Sequence, residues 1–178
     1  VTGTDGVYFE VRNWELESGR LFSSGDLHGG RSVCVIGATV RRELFGESDP
    51  IGQKIRIKTM AWQVVGLLHP KGQSSMGMDQ ADLVLMPLRT YQRRISGNQD
   101  VTLIQVSVRD GAQTEEAIRD LERLMRERRH ILPTEQDDFS VRDMKEIATM
   151  LNGTTRFLTA LMTAFASVSL LVGGIGIM

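Results

Sequence analysis

The sequence contains very little cysteine, and its charges are almost balanced. Cys34 is the only cysteine in 178 residues, so no disulfide bond can form within the chain. It lies in the apolar run 32–37, which indicates a small buried side chain rather than a reactive thiol. Lys and Arg number 21 against 22 Asp and Glu, giving a formal net charge of -1. That balance provides no field to attract nucleic acid or an acidic membrane surface.

The sequence also lacks the motifs of common catalytic and cofactor sites. No G-x-x-x-x-G-K-[ST] phosphate loop occurs, and in the nearest segment, 71–75, the lysine precedes the glycine and no helix follows. His28, His69 and His130 are far apart and form no pair with metal-ligand spacing. No serine or cysteine nucleophile lies in a recognisable elbow. We therefore expect a noncatalytic segment without a metal or cofactor of its own.

One long stretch has no charge at all, and it lies at the end of the chain. Residues 157–178 read FLTALMTAFASVSLLVGGIGIM. As a helix rising about 1.5 Å per residue, this stretch would cross a hydrocarbon core of roughly 30 Å. The first residues, VTGTDGVYFEV, resemble no signal peptide and do not begin with Met. We expect a water-facing domain, cut from a longer chain, that ends in a transmembrane helix.

The first half of the chain alternates short apolar runs with turns. SVCVIG, KIRIK, WQVVGLL and LVLMP are predicted strands, and ATVRRELF is a predicted helix closed by Gly46. Between the last two strands, His69–Asp82 contains proline, two glycines and two serines without periodicity, which predicts an exposed loop. Loops of this length in compact domains are often functional. The pattern predicts a β-rich subdomain over residues 1–97.

A second subdomain is predicted over residues 98–142, with a boundary near Gly97. Val101–Val108 is a predicted strand, Thr114–His130 a predicted helix ended by Pro133, and Phe139–Val141 another strand. The helix has an apolar face at Ala117, Ile118, Leu121, Leu124 and Met125, and Glu115–Arg119 and Glu122–Arg126 are predicted ion pairs. Strand, helix and strand together predict a βαβ unit, so the fold class is α+β with two subdomains.

A stalk helix is predicted over residues 143–156, because Asp143 and Glu146 fit a capping box. Heptad spacing continues from there into the membrane segment and predicts a seam packed against another helix. The seam residues are Met144, Ile147, Leu151, Thr154, Leu158 and Leu161. A lone amphipathic helix followed by a single anchor is the alternative interpretation.

Small and hydroxyl residues form a stripe in the membrane segment. They are Thr159, Thr163, Ser167, Gly173, Gly174 and Gly176. Such residues let helices approach closely in lipid, so we predict that this segment packs against other helices. The alternative is that these residues are merely tolerated in a membrane helix.

Several segments, taken in their order and spacing, resemble one known family. They are Trp14–Phe22 with Asp26, Val33–Gly37, Leu44–Gly46, Asp49–Gln53, Lys71–Ser75, Asp138–Arg142 and Ser169–Met178. Together they resemble the MacB-type ABC transporter permeases of the FtsX-like superfamily, and the resemblance covers most of the chain.

The resemblance implies a periplasmic domain with a porter-like subdomain and a β-rich inserted one, attached to a bacterial inner membrane. It implies a homodimer that transmits nucleotide-driven closure along helical stalks to export macrolides, peptides or lipid-like compounds. ATP and Mg would bind a cytoplasmic ATPase domain outside these residues. A periplasmic adaptor and a TolC-like outer-membrane channel are implied partners.

Two other functions remain open at this point: a lipoprotein-releasing permease of the same superfamily, and a single-span membrane-anchored sensor or binding module. For the long loop we predict contact with a partner or gating between protomers. The residues of that predicted site are Lys71, Gly72, Gln73, Ser74, Ser75 and Met76.

Overall fold

The computed structural model of the chain describes residues 1–73, 79–109, 113–144 and 158–167. The chain divides into two compact units, Val1–Ser107 and Val108–Met178. The four-part division expected from the sequence, with boundaries at residues 97, 142 and 156, stays a prediction.

The first unit is built on a six-stranded mixed sheet. The strands are β1 (Thr2–Thr4), β2 (Leu16–Gly19), β3 (Val33–Ile36), β4 (Lys54–Ile57), β5 (Met60–Leu68) and β6 (Val84–Pro87). Their order is β1-β6-β3-β5-β2, and β4 also pairs with β5. β3 runs parallel to β5 and antiparallel to β6, and β1 is parallel to β6. Short helices connect the strands, so the unit is mixed α/β rather than β-rich alone.

The helices of the first unit are α1 (Tyr8–Val11), α2 (Ser24–Gly29), α3 (Ala38–Phe45) and α4 (Leu88–Tyr91), and α4 passes directly into a π-helix (Gln92–Ser96). The predicted helix ATVRRELF is confirmed as α3, and it ends at Gly46 with φ of +59°. Glycine adopts this backbone conformation without the steric cost that a Cβ brings.

Both faces of the sheet carry a hydrophobic core, because successive side chains of a strand point to opposite faces. One core contains Phe9, Trp14, Phe22, Val33, Val35, Val65, Leu68 and Leu85. The other contains Cys34, Ile36, Ile55, Trp62, Val64, Leu67, Val84 and Met86. β3 supplies both cores and is buried along its whole length, which explains why its sequence is apolar without alternation.

The second unit contains one long helix among its described residues, α5 (Thr114–Arg129). The predicted helix is confirmed, but Pro133 does not end it: His130 does, in the left-handed conformation with φ of +55°. Of the two predicted ion pairs, Glu115–Arg119 and Glu122–Arg126, neither is formed on this described helix, and Arg126 pairs with Asp137 instead. Arg126 also donates to the Leu132 carbonyl at 2.7 Å, which folds the following segment back onto the helix end.

Two predicted strands are wrong. Residues 139–141 and 101–108 have no strand structure, and no described strand pairs with either. In the longer segment Leu103 and Ile104 are 70% and 66% exposed. A β-branched, apolar sequence becomes a strand only when a neighbouring edge supplies hydrogen bonds. The described residues of 98–142 therefore hold a helix without the two flanking strands of the predicted βαβ unit.

Only part of the predicted stalk and membrane segment is described. Residue 144 and residues 158–167 are helical. Among the described residues, no helix reaches the length and apolar content that a membrane crossing requires. Residues 145–157 and 168–178 lie outside the described residues, and with them most of the predicted span 157–178.

Candidate functional site

The predicted partner loop leaves the sheet between β5 and β6. β3 and β5 are parallel, so their carboxyl ends lie on the same side of the sheet. β6 is antiparallel to β3 and begins on that side. α3 also starts on this side, directly after β3. The end of β5, the start of β6 and the start of α3 therefore lie close together at the base of the loop. Contacts between residues distant in sequence hold that base.

The first arm of the loop is fixed to the segment that follows α1. Lys71 Nζ donates a hydrogen bond to the Arg12 carbonyl at 2.6 Å and lies 4.7 Å from the centroid of the Trp14 ring. Trp14 belongs to a sheet core and is only 7% exposed, so its ring is a rigid platform for the cation. The His69 N–H donates to the Glu15 carbonyl at 2.9 Å and continues this attachment.

The second arm is fixed to the start of α3. The Thr39 hydroxyl donates to Asp79 Oδ2 at 2.5 Å, and the Ala81 N–H donates to Asp79 Oδ1 at 2.8 Å. The Thr39 hydrogen bond, followed by the one from Ala81, lowers the pKa of Asp79 below its ordinary value. Asp79 is therefore a carboxylate at neutral pH, and both of its oxygens accept hydrogen bonds from the fold.

The two arms also contact each other. Gln73 and Asp79 form an antiparallel bridge, and the Gln80 N–H donates to the Gly72 carbonyl at 3.2 Å. The loop is thus closed at its base. Residues 74–78, which are called the tip because they connect the two arms in sequence, lie outside the described residues. Of the six predicted site residues, Lys71, Gly72 and Gln73 are described and exposed. Ser74, Ser75 and Met76 lie outside the described residues.

The base of the loop offers contacts rather than chemistry. The charged side chains of Lys71 and Asp79 already bind groups of the sheet unit and so attach the loop to it. The thiol of Cys34 is buried beneath the sheet surface, and burial raises its pKa to about 12, so it stays protonated at neutral pH. Within the described ranges, no group of three or more His, Cys, Asp or Glu residues could hold a metal ion.

Sequence reasoning identified the loop and Lys71 but missed three other residues that hold the loop. Trp14, Thr39 and Asp79 are separated along the chain and meet only in the fold. A signal was available for one of them: an aspartate two residues before Ala81 is typical of an Asx turn, in which the carboxylate accepts a nearby backbone N–H.

Gly37→Ala is expected to disturb this base directly. A Cβ on Gly37 would lie 2.0 Å from the Ala81 carbonyl oxygen, and backbone cannot move aside as a flexible side chain would. We expect the free energy of unfolding to fall by about 1–3 kcal/mol, measured by urea denaturation. Gly29→Ala is the control, since a Cβ added to Gly29 would meet no atom within 4 Å. Equal stability of the two variants would contradict the close approach of Gly37 and Ala81.

The predicted seam and membrane-packing residues are only partly described. Met144 is helical, and Leu158 and Leu161 lie on helical residues 158–167 with 53% and 40% exposure. The Thr163 hydroxyl donates to the Thr159 carbonyl at 2.9 Å, and the Ser167 hydroxyl to the Thr163 carbonyl at 2.8 Å. These bonds satisfy both hydroxyls within the helix. Outside the described residues lie Ile147, Leu151, Thr154, Gly173, Gly174 and Gly176.

Comparison with protein families gives one match that covers most of the chain. The model of the MacB-like periplasmic core domain matches residues 1–124. That range contains the whole sheet unit and most of α5.

Among individual proteins, the chain is 33% identical to a macrolide export ATP-binding/permease protein MacB from Syntrophobacter fumaroxidans, covering 100% of the chain and 32% of that protein. It is 36% identical to a pyoverdine export ATP-binding/permease protein PvdT from Pseudomonas savastanoi, covering 100% of the chain and 27% of that protein. The chain thus spans about a third or less of the length of these relatives.

The fold is also similar to a solved structure. The periplasmic region of MacB from Actinobacillus actinomycetemcomitans superposes with a TM-score of 0.68 at 21% identity, covering 84% of the chain and 64% of that region. At this identity the likeness concerns the fold alone.

Proposed function

The chain belongs to the family of MacB-like periplasmic core domains, and we propose that it is a noncatalytic part of the permease subunit of an ATP-driven efflux transporter. The observation that carries the proposal is the family match over residues 1–124. The relatives' names add support, because both describe export proteins that combine ATP-binding and permease functions.

The proposed location is a bacterial inner membrane, with the sheet unit on the periplasmic side. ATP and Mg would act in a separate ATPase domain, and the chain's share of the relatives' length leaves ample room for one. One relative is named for macrolides and the other for pyoverdine. The proposed cargo class is therefore broad: macrolide-, peptide- or lipid-like compounds that an envelope pump removes.

The proposed mechanism is transmission of movement. Two copies of the permease would close together when nucleotide binds, and the stalk seam would carry this closure to the sheet unit. The two-sided core supports such a role for the sheet unit, because close-packed interiors deform little and transmit strain. The loop between β5 and β6 would contact a periplasmic adaptor that leads to a TolC-like channel, and the attachment of both its arms to the sheet unit supports this role.

The function is tested with the full-length protein in a macrolide-sensitive bacterial host, with and without its adaptor. We expect lower intracellular levels of a labelled macrolide, amphipathic peptide or lipid-like compound, and only while the ATPase domain is active. Release of lipoproteins from membranes without export of any of these three probes would instead support a lipoprotein-releasing permease. Signalling without ATP-dependent transport would support an anchored sensor.

Leu151→Asp in the full-length protein is expected to uncouple ATP hydrolysis from export. A carboxylate in an apolar seam loses hydration without gaining a partner, so the helices would separate. We expect export to fall about tenfold or more while ATP hydrolysis continues, because seam contacts act as a unit. Thr149→Asp is the matched control, since it adds the same charge at a position outside the heptad seam. Unchanged export by Leu151→Asp at normal abundance would count against the stalk.

Removal of the loop tip tests the proposed adaptor contact. Replacing residues 74–78 with two glycines keeps the Lys71 attachment and the Asp79 attachment while removing the tip. We expect adaptor binding to weaken at least tenfold, with the melting temperature of the sheet unit unchanged. Adaptor binding and export that both survive the replacement would remove the loop from the proposed interface.

A further inference from the structure

Lys71 is oriented by two contacts on the surface of the sheet unit. Its Nζ donates a hydrogen bond to the Arg12 carbonyl at 2.6 Å and lies 4.7 Å from the centroid of the Trp14 ring. The Trp14 side chain is buried, whereas Lys71 is exposed, so a rigid ring supports a cation that solvent can reach. A lysine side chain loses rotamer freedom when a partner immobilises it, and here contacts within the fold have already imposed much of that loss.

The ammonium group of Lys71 has further hydrogen-bond donors to offer. It carries three N–H donors, and the Arg12 carbonyl accepts one of them. Among the described residues, no carboxylate forms an ion pair with Lys71. The five residues between the two arms read SSMGM and contain no acid. The positive charge and two of its donors therefore have no partner among the described residues.

Lys71 differs in this respect from the other charge at the base of the loop. Both oxygens of Asp79 accept hydrogen bonds from the fold, one from the Thr39 hydroxyl and one from the Ala81 N–H. Lys71 also differs from Lys54, an exposed lysine of β4 whose side chain makes no hydrogen bond, ion pair or ring contact with a described residue. Lys71 thus combines an exposed charge with a fixed position.

We propose that Lys71 is a specificity-determining residue that binds a carboxylate of the periplasmic adaptor at the base of the loop. The identity of the partner rests on the proposed function, whereas the orientation of the cation follows from the contacts with Arg12 and Trp14. A carboxylate is the favoured anion, because binding to the phosphates of a lipid surface uses clusters of Lys and Arg. The arms 69–73 and 79–82 contain one lysine and two aspartates, and those aspartates would repel such a surface.

The experiment measures binding of the purified adaptor to the full-length protein over a range of salt concentrations. Lys71→Met removes the charge and the donors while keeping a long apolar side chain, and Lys71→Arg keeps a cation that is able to lie on an aromatic ring. Lys54→Met is the matched control, because it removes the same charge from a side chain that no described contact orients. Without the adaptor, amide hydrogen exchange at Gln80 reports the state of the loop base, since the Gln80 N–H donates to the Gly72 carbonyl at 3.2 Å.

We expect Lys71→Met to weaken adaptor binding about fivefold at low salt, which is the upper range for an exposed ion pair. The difference from the wild type should shrink as salt rises, because salt screens the attraction. Lys71→Arg and Lys54→Met should each bind within about twofold of the wild type. Exchange at Gln80 should be about threefold faster in Lys71→Met alone, as loss of one hydrogen bond predicts. A purely structural role of Lys71 would change the exchange rate but leave the salt dependence of binding unaltered.

Three outcomes overturn the proposal and leave the proposed function intact. Wild-type affinity of Lys71→Met at every salt concentration would show that the adaptor does not use this cation. Weaker binding with the salt dependence of the wild type would show that Lys71 only holds the arm. An equal loss for Lys54→Met would assign the effect to net charge. A wild-type protein that exports its cargo with ATP but binds no adaptor would overturn the adaptor contact and the role of Lys71 together, while the rest of the proposed function would stand.

Discussion

Trp62→Ala is expected to lower the free energy of unfolding of the sheet unit by about 3–5 kcal/mol, which is the usual cost of removing a buried aromatic side chain. Trp62 is completely buried, lies near the start of β5 and is paired in register with Ile55 of β4. β5 contacts three other strands, so the cavity would open where β4, β3 and the helices on that face meet. Close packing around the indole leaves little room for the neighbours to collapse into the space.

Urea unfolding followed by circular dichroism measures this loss, and the remaining Trp14 gives an independent fluorescence signal from the opposite core. Leu44→Ala is the control, because Leu44 is a large apolar side chain on α3 that is 60% exposed. We expect it to cost less than about 1 kcal/mol. A loss for Trp62→Ala as small as that of the control would contradict the close packing of the Trp62 side chain in the core.

Elements with strong local patterns were predictable from the sequence. β3, β4, β5 and β6 each carry an apolar or alternating run between turn residues, and α3 and α5 carry helical patterns, with Gly46 marking the end of α3. These signals depend on residues a few positions apart. The order of the strands could not be predicted in this way, because it depends on distant residues: β1 and β6 pair although some eighty positions separate them in the sequence. β1 itself has only three residues, which are too few to show a period.

In segment 101–108 a strong local pattern predicted a strand that the structure does not contain. Its residues favour strands, yet a strand needs a partner edge, and none of the described strands offers one. Val101, Leu103, Ile104 and Val106 therefore remain more than half exposed. For the loop site, the position was predictable from composition. The contacts of Lys71 with Arg12 and Trp14 were not, because they join parts of the chain about sixty positions apart.

Asp26→Asn is expected to cost about 2–3 kcal/mol at neutral pH, because the substitution removes a charged acceptor from a fully buried position. Asp26 Oδ2 accepts from Arg20 Nη1 at 2.5 Å, from the Ser23 N–H at 2.9 Å and from the Ser23 hydroxyl at 2.7 Å. Ser23 in return caps α2, since its hydroxyl accepts from the Asp26 N–H. This reciprocal capping box closes the first turn of α2, and the contact with Arg20 ties that turn to the residue that follows β2. An asparagine amide would present donors where an acceptor is needed.

The cost should depend on pH in a defined direction. Burial raises the pKa of Asp26, but the hydrogen bonds from Arg20 and Ser23 outweigh it and lower the pKa from 3.8 to about 2. The stabilisation is therefore fully present above the ordinary pKa of 3.8 and is lost as the pH falls toward the folded value near 2. The difference between the wild type and Asp26→Asn should accordingly be constant from pH 7 to about pH 5 and shrink below pH 4.

Asp49→Asn separates this effect from the general loss of a carboxylate. Asp49 is exposed, and its carboxylate accepts one hydrogen bond, from the Ile51 N–H at 2.9 Å. We expect that substitution to cost less than about 1 kcal/mol, because water can replace the lost contact. Urea unfolding of all three proteins between pH 7 and pH 2 gives the comparison. A difference between the wild type and Asp26→Asn that persists undiminished at pH 2 would assign the loss to altered packing around α2, since at that pH the lowered pKa of Asp26 contributes little to the stability of the wild type.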